Sequence, residues 1–275
     1  MRKTYQELEF KDAFMFAAVM SDAESCRGVL ERILGIPIRK VMVHAEHVLF
    51  VNPETRGVRL DVYADDEHGT VYNVEMQTAD NKNLPKRSRY YQGQMDMAAL
   101  KTGEDFARLP QSIVIFICTF DPFGEGRHIY TFCNTCQENT ALTLDDDAVK
   151  IILSTKGTMD DVSPEMKRIL DYIDGKGASD KFTEELEKAV CSARQNERWR
   201  LDYMTLEYEY RQRYLEGKEE GREEGRAEGR EEGRAEGRER TIQKLHERGE
   251  SIASIADIVE LNEEEVKRVI SELKL

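Results

Sequence analysis

Two carboxylates, Asp61 and Glu75, lie seven residues either side of His68. Val58, Leu60 and Val62 alternate with Arg59, Asp61 and Tyr63, which is the period of a half-buried strand. Asp65-Asp66-Glu67-His68-Gly69 is turn chemistry. Val71 to Gln77 is rich in strand formers and carries Glu75 and Gln77 on one face. A hairpin centred on His68 therefore sets Asp61 opposite Glu75, with Cβ atoms roughly 5 Å apart. Facing carboxylates repel unless something cationic sits between them. A hard divalent ion such as Mg²⁺ suits that role, because it prefers carboxylate and carbonyl oxygens and water. The competing reading is a solvent-facing hairpin with its charges in water. Against it, Asp61 and Glu75 stand among apolar, β-branched and aromatic residues, a context that disfavours them in strands.

These residues carry a family resemblance. Arg59-Leu60-Asp61-Val62 followed by Tyr72-Asn73-Val74-Glu75-Met76-Gln77 resembles the core of the recombination-promoting nucleases. That family is also described as transposases of the PD-(D/E)XK nuclease superfamily. Phe10 to Phe16 is similar to its opening helix, and Arg87-Ser-Arg-Tyr-Tyr91 to the start of the helix after the core. Ile115 to Phe123 and Ile129 to Asn134 are similar to its later strands. The resemblance implies a metal-dependent DNA endonuclease with a restriction-endonuclease-like core, possessing Asp61, Glu75 and Gln77 as catalytic residues. Asp61, Glu75 and the Met76 carbonyl would hold Mg²⁺ or Mn²⁺. The departure is from the superfamily, whose usual third residue is Lys. A Lys stabilises developing charge and helps position the attacking water, whereas Gln77 orients a water and brings no charge.

The elements around the hairpin must position it. Phe10, Phe14, Ala17, Ala18, Val29, Leu30, Ile33 and Leu34 fall at helical spacing. They predict a helix or helix pair from about Asp12 to Leu34, stopped by Gly35 and Pro37. Asp12 has two readings: a helix cap, or the further metal ligand that some members of the superfamily carry on their first helix. Ile38 to Val51 reads as the first strand. His44, Glu46 and His47 within it face both sides of one strand and cannot all reach the same ion. After the hairpin, Lys82, Lys86, Arg87 and Arg89 form the most basic short stretch before the tail. They are candidate DNA-phosphate contacts, and equally a solvated loop and helix start. Tyr91 and Gln94 lie near the start of the next helix, as supporting site residues or as packing. Ile113 to Ile117 predicts a central strand buried on both faces, and Arg127–Cys133 and Val149–Leu153 two more. The order gives an α/β fold with a mixed central sheet flanked by helices.

Beyond this core, expected over 1–160, the pattern turns helical over 161–215. Trp199, Tyr203, Leu206 and Tyr210 form an apolar stripe. Over 216–240 a Glu-Gly-Arg repeat places Gly at 217, 221, 225, 229, 233 and 237. Each Gly costs a helix about 1 kcal/mol against Ala, while charge pairs three apart return only ~0.2–0.5 kcal/mol. The segment is a charged linker or a marginal helix, and its small-residue spacing also admits helix pairing between two copies of the chain. The tail over 241–275 has a helix-turn-helix layout, with Asn262 as a cap before Glu263-Glu-Glu. Three Glu at that end repel phosphate, so the tail reads as a packing or protein-interaction unit.

The chain has 275 residues, 54 Asp and Glu against 40 Lys and Arg, and a formal net charge of -14. That excludes indiscriminate nucleic-acid binding and leaves a local basic patch as the DNA-binding surface. Five Cys with no leader segment point to a reducing cytoplasm. Cys133-Asn-Thr-Cys136 has no second pair, so zinc is not expected. No apolar run approaches the ~20 residues of a membrane span. Beside the endonuclease stands an expectation of another class, a nuclease-fold scaffold without catalysis that acts through its C-terminal helices. The acidic charge and Gln77 favour it, and the two carboxylates in a strand context disfavour it.

Overall fold

The computed structural model describes residues 3–44, 48–49 and 58–273. Helices α1 (Ala13–Met20) and α2 (Ala23–Leu34) come first, separated at Ser21 and Asp22. Asp22 caps α2 by accepting from the Ser25 N–H at 2.9 Å. Gly35 closes α2 at φ 67°, the left-handed conformation that a glycine adopts without a Cβ penalty. The first strand is shorter than the sequence predicts. It spans β1 (Val41–His44), while Val48–Leu49 forms β2, which pairs with β3 (Val58–Arg59) as a separate ribbon. Glu46 and His47 lie outside the described residues.

The main sheet contains β1, β4 (Val62–Asp66), β5 (Val71–Gln77), β6 (Ser112–Cys118), β7 (Ile129–Phe132) and β8 (Ala148–Ser154), in the order β1-β4-β5-β6-β8-β7. The β1–β4, β4–β5 and β7–β8 pairs are antiparallel, and β5–β6 and β6–β8 are parallel. The sheet is therefore mixed, as expected. Every residue of β5 and β6 is buried, which suits central strands with both faces covered.

One face packs against helices α1, α2, α4 (Pro164–Ile173) and α5 (Lys181–Gln195) through a large apolar cluster that includes Val62, Ala64, Tyr72, Val74, Met76, Ile115 and Leu153. The other face is covered by α3 (Leu84–Ala99), the crossover between β5 and β6. Leu84 and Met95 of α3 pack there with Leu60, Val71, Val114, Phe116 and Ile152.

Helix α6 (Glu197–Glu247) is continuous through the Glu-Gly-Arg repeat, so the segment is a helix rather than a linker. Its first turns belong to the core unit, 1–204, where the Tyr203 ring lies 5.2 Å from Phe14 and 5.7 Å from Tyr5. The second unit, 205–275, closes a small core in which Ile242 of α6 meets Ile255, Ala256 and Val259 of α7 (Ile252–Val259) and Val266 of α8 (Glu263–Glu272). Asn262 caps α8 as predicted, its Oδ1 accepting from the Glu265 N–H at 2.8 Å. Glu265 answers by accepting from the Asn262 N–H at 3.1 Å, completing a capping box.

Candidate active site

The β4–β5 hairpin has the register read from the sequence. Val62 pairs with Val74, Tyr63 with Asn73, Ala64 with Tyr72 and Asp65 with Val71, all centred on His68. The turn is tighter than expected, with Asp65 and Asp66 inside β4 and Gly69 at φ 82°. At the other end the ladder stops at Val62–Val74, because the chain bends at Asp61. The bend also breaks the predicted alternation. Leu60 packs on the α3 side of the sheet, while Val62 and Ala64 pack on the opposite side.

The bend leaves strand ends for side chains to satisfy. The Met76 N–H donates to Asp61 Oδ2 at 3.1 Å, and the Asp61 N–H donates to Glu75 Oε1 at 3.1 Å. Each carboxylate is thus seated on the other residue's strand. In a strand the N–H and C=O of one residue point to the same side. The Met76 carbonyl accordingly points past the end of β4, towards the Asp61 side. Glu75 is only 3% exposed. Burial, and then the Asp61 charge, push its carboxyl well above the usual carboxylate range; the Asp61 N–H and Arg87 pull in the opposite direction.

That shift sets a prediction. A carboxyl whose pKa is raised by folding costs nothing while it is protonated in both states. It destabilises the fold progressively as pH rises through its ordinary value of 4.5. Glu75→Gln is therefore expected to raise the thermal midpoint of the metal-free protein. The gain over wild type should grow from acid to neutral pH, which thermal denaturation followed by circular dichroism would measure. An equal midpoint at every pH would show that Glu75 carries no such cost.

Gln77 follows on the same face of β5. Its Nε2 donates to the Ala79 carbonyl, and its Oε1 accepts from Arg87 Nη2 at 2.7 Å. Arg87 comes from the second turn of α3, and its Nη2 is 3.7 Å from Glu75 Oε2. The guanidinium lies 4.7 Å from the Phe116 ring and 5.5 Å from the Tyr91 ring, within cation–π range. Tyr91 in turn stacks on Phe116 at 6.0 Å. Asp61, Glu75, Gln77 and Arg87 thus form one group at the carboxyl ends of parallel strands β5 and β6, where open α/β sheets place ligands.

Several of the other candidates have partners of their own. Gln94 is buried on α3 with no partner for its Oε1 among the described residues. Lys82 stands at φ 55° and pairs with Asp80 at 2.5 Å, which neutralises part of its charge. Lys86 and Arg89 are exposed in the first two turns of α3. Asp12 stands at the N-cap position of α1, but its side chain makes no capping hydrogen bond to that helix; its Oδ2 is engaged by Lys3 at 2.7 Å and by the Glu9 N–H at 2.7 Å. His44 is taken by Asp65. Asn73, part of the motif that carries the resemblance but given no role there, lies two residues from Glu75 on the same face of β5 and favours the charged form of Glu75. Cys118, at the end of β6, is no nucleophile, because burial pushes its thiol up to about 12.

A family model described as PD-(D/E)XK nuclease family transposase matches residues 14–153, just over half of the chain. The chain belongs to this family. The match takes in both carboxylates, Gln77 and Arg87, and supports a nuclease-type function for this PD-(D/E)XK protein. Comparison with curated proteins and with solved structures gave no match. No helix among the described residues is long and apolar enough to cross a membrane.

Two carboxylates and one outward carbonyl fit a hard divalent cation. Mg²⁺ commonly binds through one or two carboxylates and keeps several waters. No cluster of three or more His, Cys, Asp or Glu side chains able to hold a metal occurs among the described residues.

Proposed function

We propose that the protein is a metal-dependent endodeoxyribonuclease that hydrolyses phosphodiester bonds. The observation that carries this reading is the mutual seating of Asp61 and Glu75 across the end of the β4–β5 hairpin, with one carboxyl nearly buried beside the other. Such a pair is costly unless a cation offsets it. Asp61, Glu75 and the Met76 carbonyl would hold Mg²⁺ or Mn²⁺. When bound, the ion supplies a lowered pKa for water and charge stabilisation at the scissile phosphate.

The chain's own residues do the rest. Lys86 and Arg89, with Lys82 in a lesser role, seat the DNA strand by neutralising phosphate. They stand around the start of α3, where the helix dipole disfavours cations by about 0.3–1 kcal/mol each. Their placement works against the helix and suits an anionic ligand. Gln77 fixes the position of its neighbours through both ends of its amide. The family description names a transposase, and cleavage of this kind would serve transposition or recombination.

Isothermal titration calorimetry with Mg²⁺ and with Mn²⁺ tests the metal role. Wild type is expected to bind, and Glu75→Ala to lose that binding. Absence of binding by wild type, or equal binding by Glu75→Ala, would instead favour the non-catalytic scaffold.

A further inference from the structure

The endonuclease reading leaves the site short of positive charge, since Gln77 is neutral where the superfamily's usual residue is Lys. We propose that Arg87 is the catalytic cation. Its guanidinium, delivered from α3 and seated on Gln77, engages the non-bridging oxygens of the scissile phosphate and meets the charge that builds there. This rests on the reading above and deepens it.

Four observations support the assignment. The first is position: Nη2 lies 3.7 Å from Glu75 Oε2, so the cation borders the carboxylate pair. The second is that its charge is only partly engaged: the Glu75 carboxylate forms a long ion pair with it at 3.7 Å. Charge-assisted hydrogen bonds run at about 2.7–2.9 Å. The partner at that distance is the neutral Gln77 amide, at 2.7 Å, and the carboxylate lies beyond it. The third is rigidity: the side chain is 24% exposed and lies against Phe116 and Tyr91. A preorganised donor loses little on engaging an anion. The fourth is an unmet demand: Arg87 Nε is buried with no hydrogen-bond partner among the described residues. Buried polar groups are costly when unpaired, so the guanidinium keeps hydrogen-bonding capacity that the fold does not use.

Gln77 and Arg87 then form a matched pair. The Ala79 carbonyl takes the amide's donor end and leaves Oε1 facing the guanidinium. A Lys at 77 would put an ammonium against Arg87 and repel it. The neutral residue on the strand and the cation on the helix divide between them what one Lys does elsewhere in the superfamily.

The experiment is single-turnover cleavage of duplex DNA at saturating DNA and Mn²⁺. It compares wild type, Arg87→Ala, Arg87→Met, Gln77→Lys and Gln77→Lys/Arg87→Met, with Mn²⁺ calorimetry and thermal midpoints alongside. Arg87→Ala is expected to cut the rate by ~10²–10³-fold, the cost of losing one transition-state donor. Its Mn²⁺ affinity should hold, and added guanidinium ion should restore part of the rate where sodium at equal ionic strength does not. Gln77→Lys alone should be impaired, and Gln77→Lys/Arg87→Met should exceed either Gln77→Lys or Arg87→Met. Should Arg87→Ala not fold, Arg87→Met, which keeps the apolar stem, and the double variant carry the test. An unchanged rate at saturating DNA would overturn the proposal, as would loss of Mn²⁺ binding, absence of guanidinium rescue in a folded Arg87→Ala, or a double variant no better than its parents. Wild type failing to cleave would sink the endonuclease reading and this proposal together. Wild type and Arg87→Ala cleaving equally would sink the proposal alone.

Discussion

Asp61→Ala is expected to lower metal-dependent DNA cleavage by at least roughly 10³-fold. A metal that polarises water and phosphate supplies several kcal/mol of transition-state stabilisation, and each 1.36 kcal/mol is a factor of about ten in rate. Stability should fall far less. Asp61 sits at a bend at the end of the sheet and gives up the backbone hydrogen bond from the Met76 N–H. Such a bond contributes about 0.5–1.5 kcal/mol, and removal of its charge from beside buried Glu75 offsets part of that. Cleavage kinetics and a thermal melt on the same preparation separate the two effects. A rate within tenfold of wild type in a folded Asp61→Ala would remove Asp61 from the reaction.

The second large effect lies in α6. Replacing Gly217, Gly221, Gly225, Gly229, Gly233 and Gly237 together by Ala is expected to stabilise the repeat by up to about 1 kcal/mol per position. An added Cβ meets nothing within 4 Å at any of the six, so no clash offsets the gain. If the segment opens as one unit, amide exchange across it should slow by on the order of 10³-fold or more. Hydrogen–deuterium exchange read by mass spectrometry would show this as protection confined to the repeat. Unchanged exchange would mean that the glycines do not limit the helix.

What could be read in advance follows from the range of the forces involved. The hairpin register was legible because period-two alternation and turn chemistry are local, and both point to His68. The bend at Asp61 was not, since Leu60 and Val62 look equivalent in the sequence yet pack on opposite faces. That switch depends on α3 offering an apolar surface to Leu60. The first strand was read as one run over 38–51, but β1 ends at His44 and β2 pairs elsewhere, a division set by partners remote in sequence. The helix pair, the buried β6 and the Asn262 cap were legible from local pattern. The repeat left helix and linker open because each Gly costs a helix more than a charge pair returns, which makes the helix marginal; the structure makes it helix. Arg87 was legible as one cation in a basic stretch. Its seat on Gln77 was not, because the chain between them runs through a loop and into a helix whose packing angle alone brings them together.

The measurement that tests the central claim most directly is plasmid nicking by the purified wild-type protein, with Mg²⁺ and with Mg²⁺ plus excess chelator. Open-circular and then linear product is expected with Mg²⁺, and intact supercoiled plasmid with chelator. Cleavage that continues under chelator, or no cleavage of double- or single-stranded substrate with Mg²⁺ or Mn²⁺, would contradict that claim.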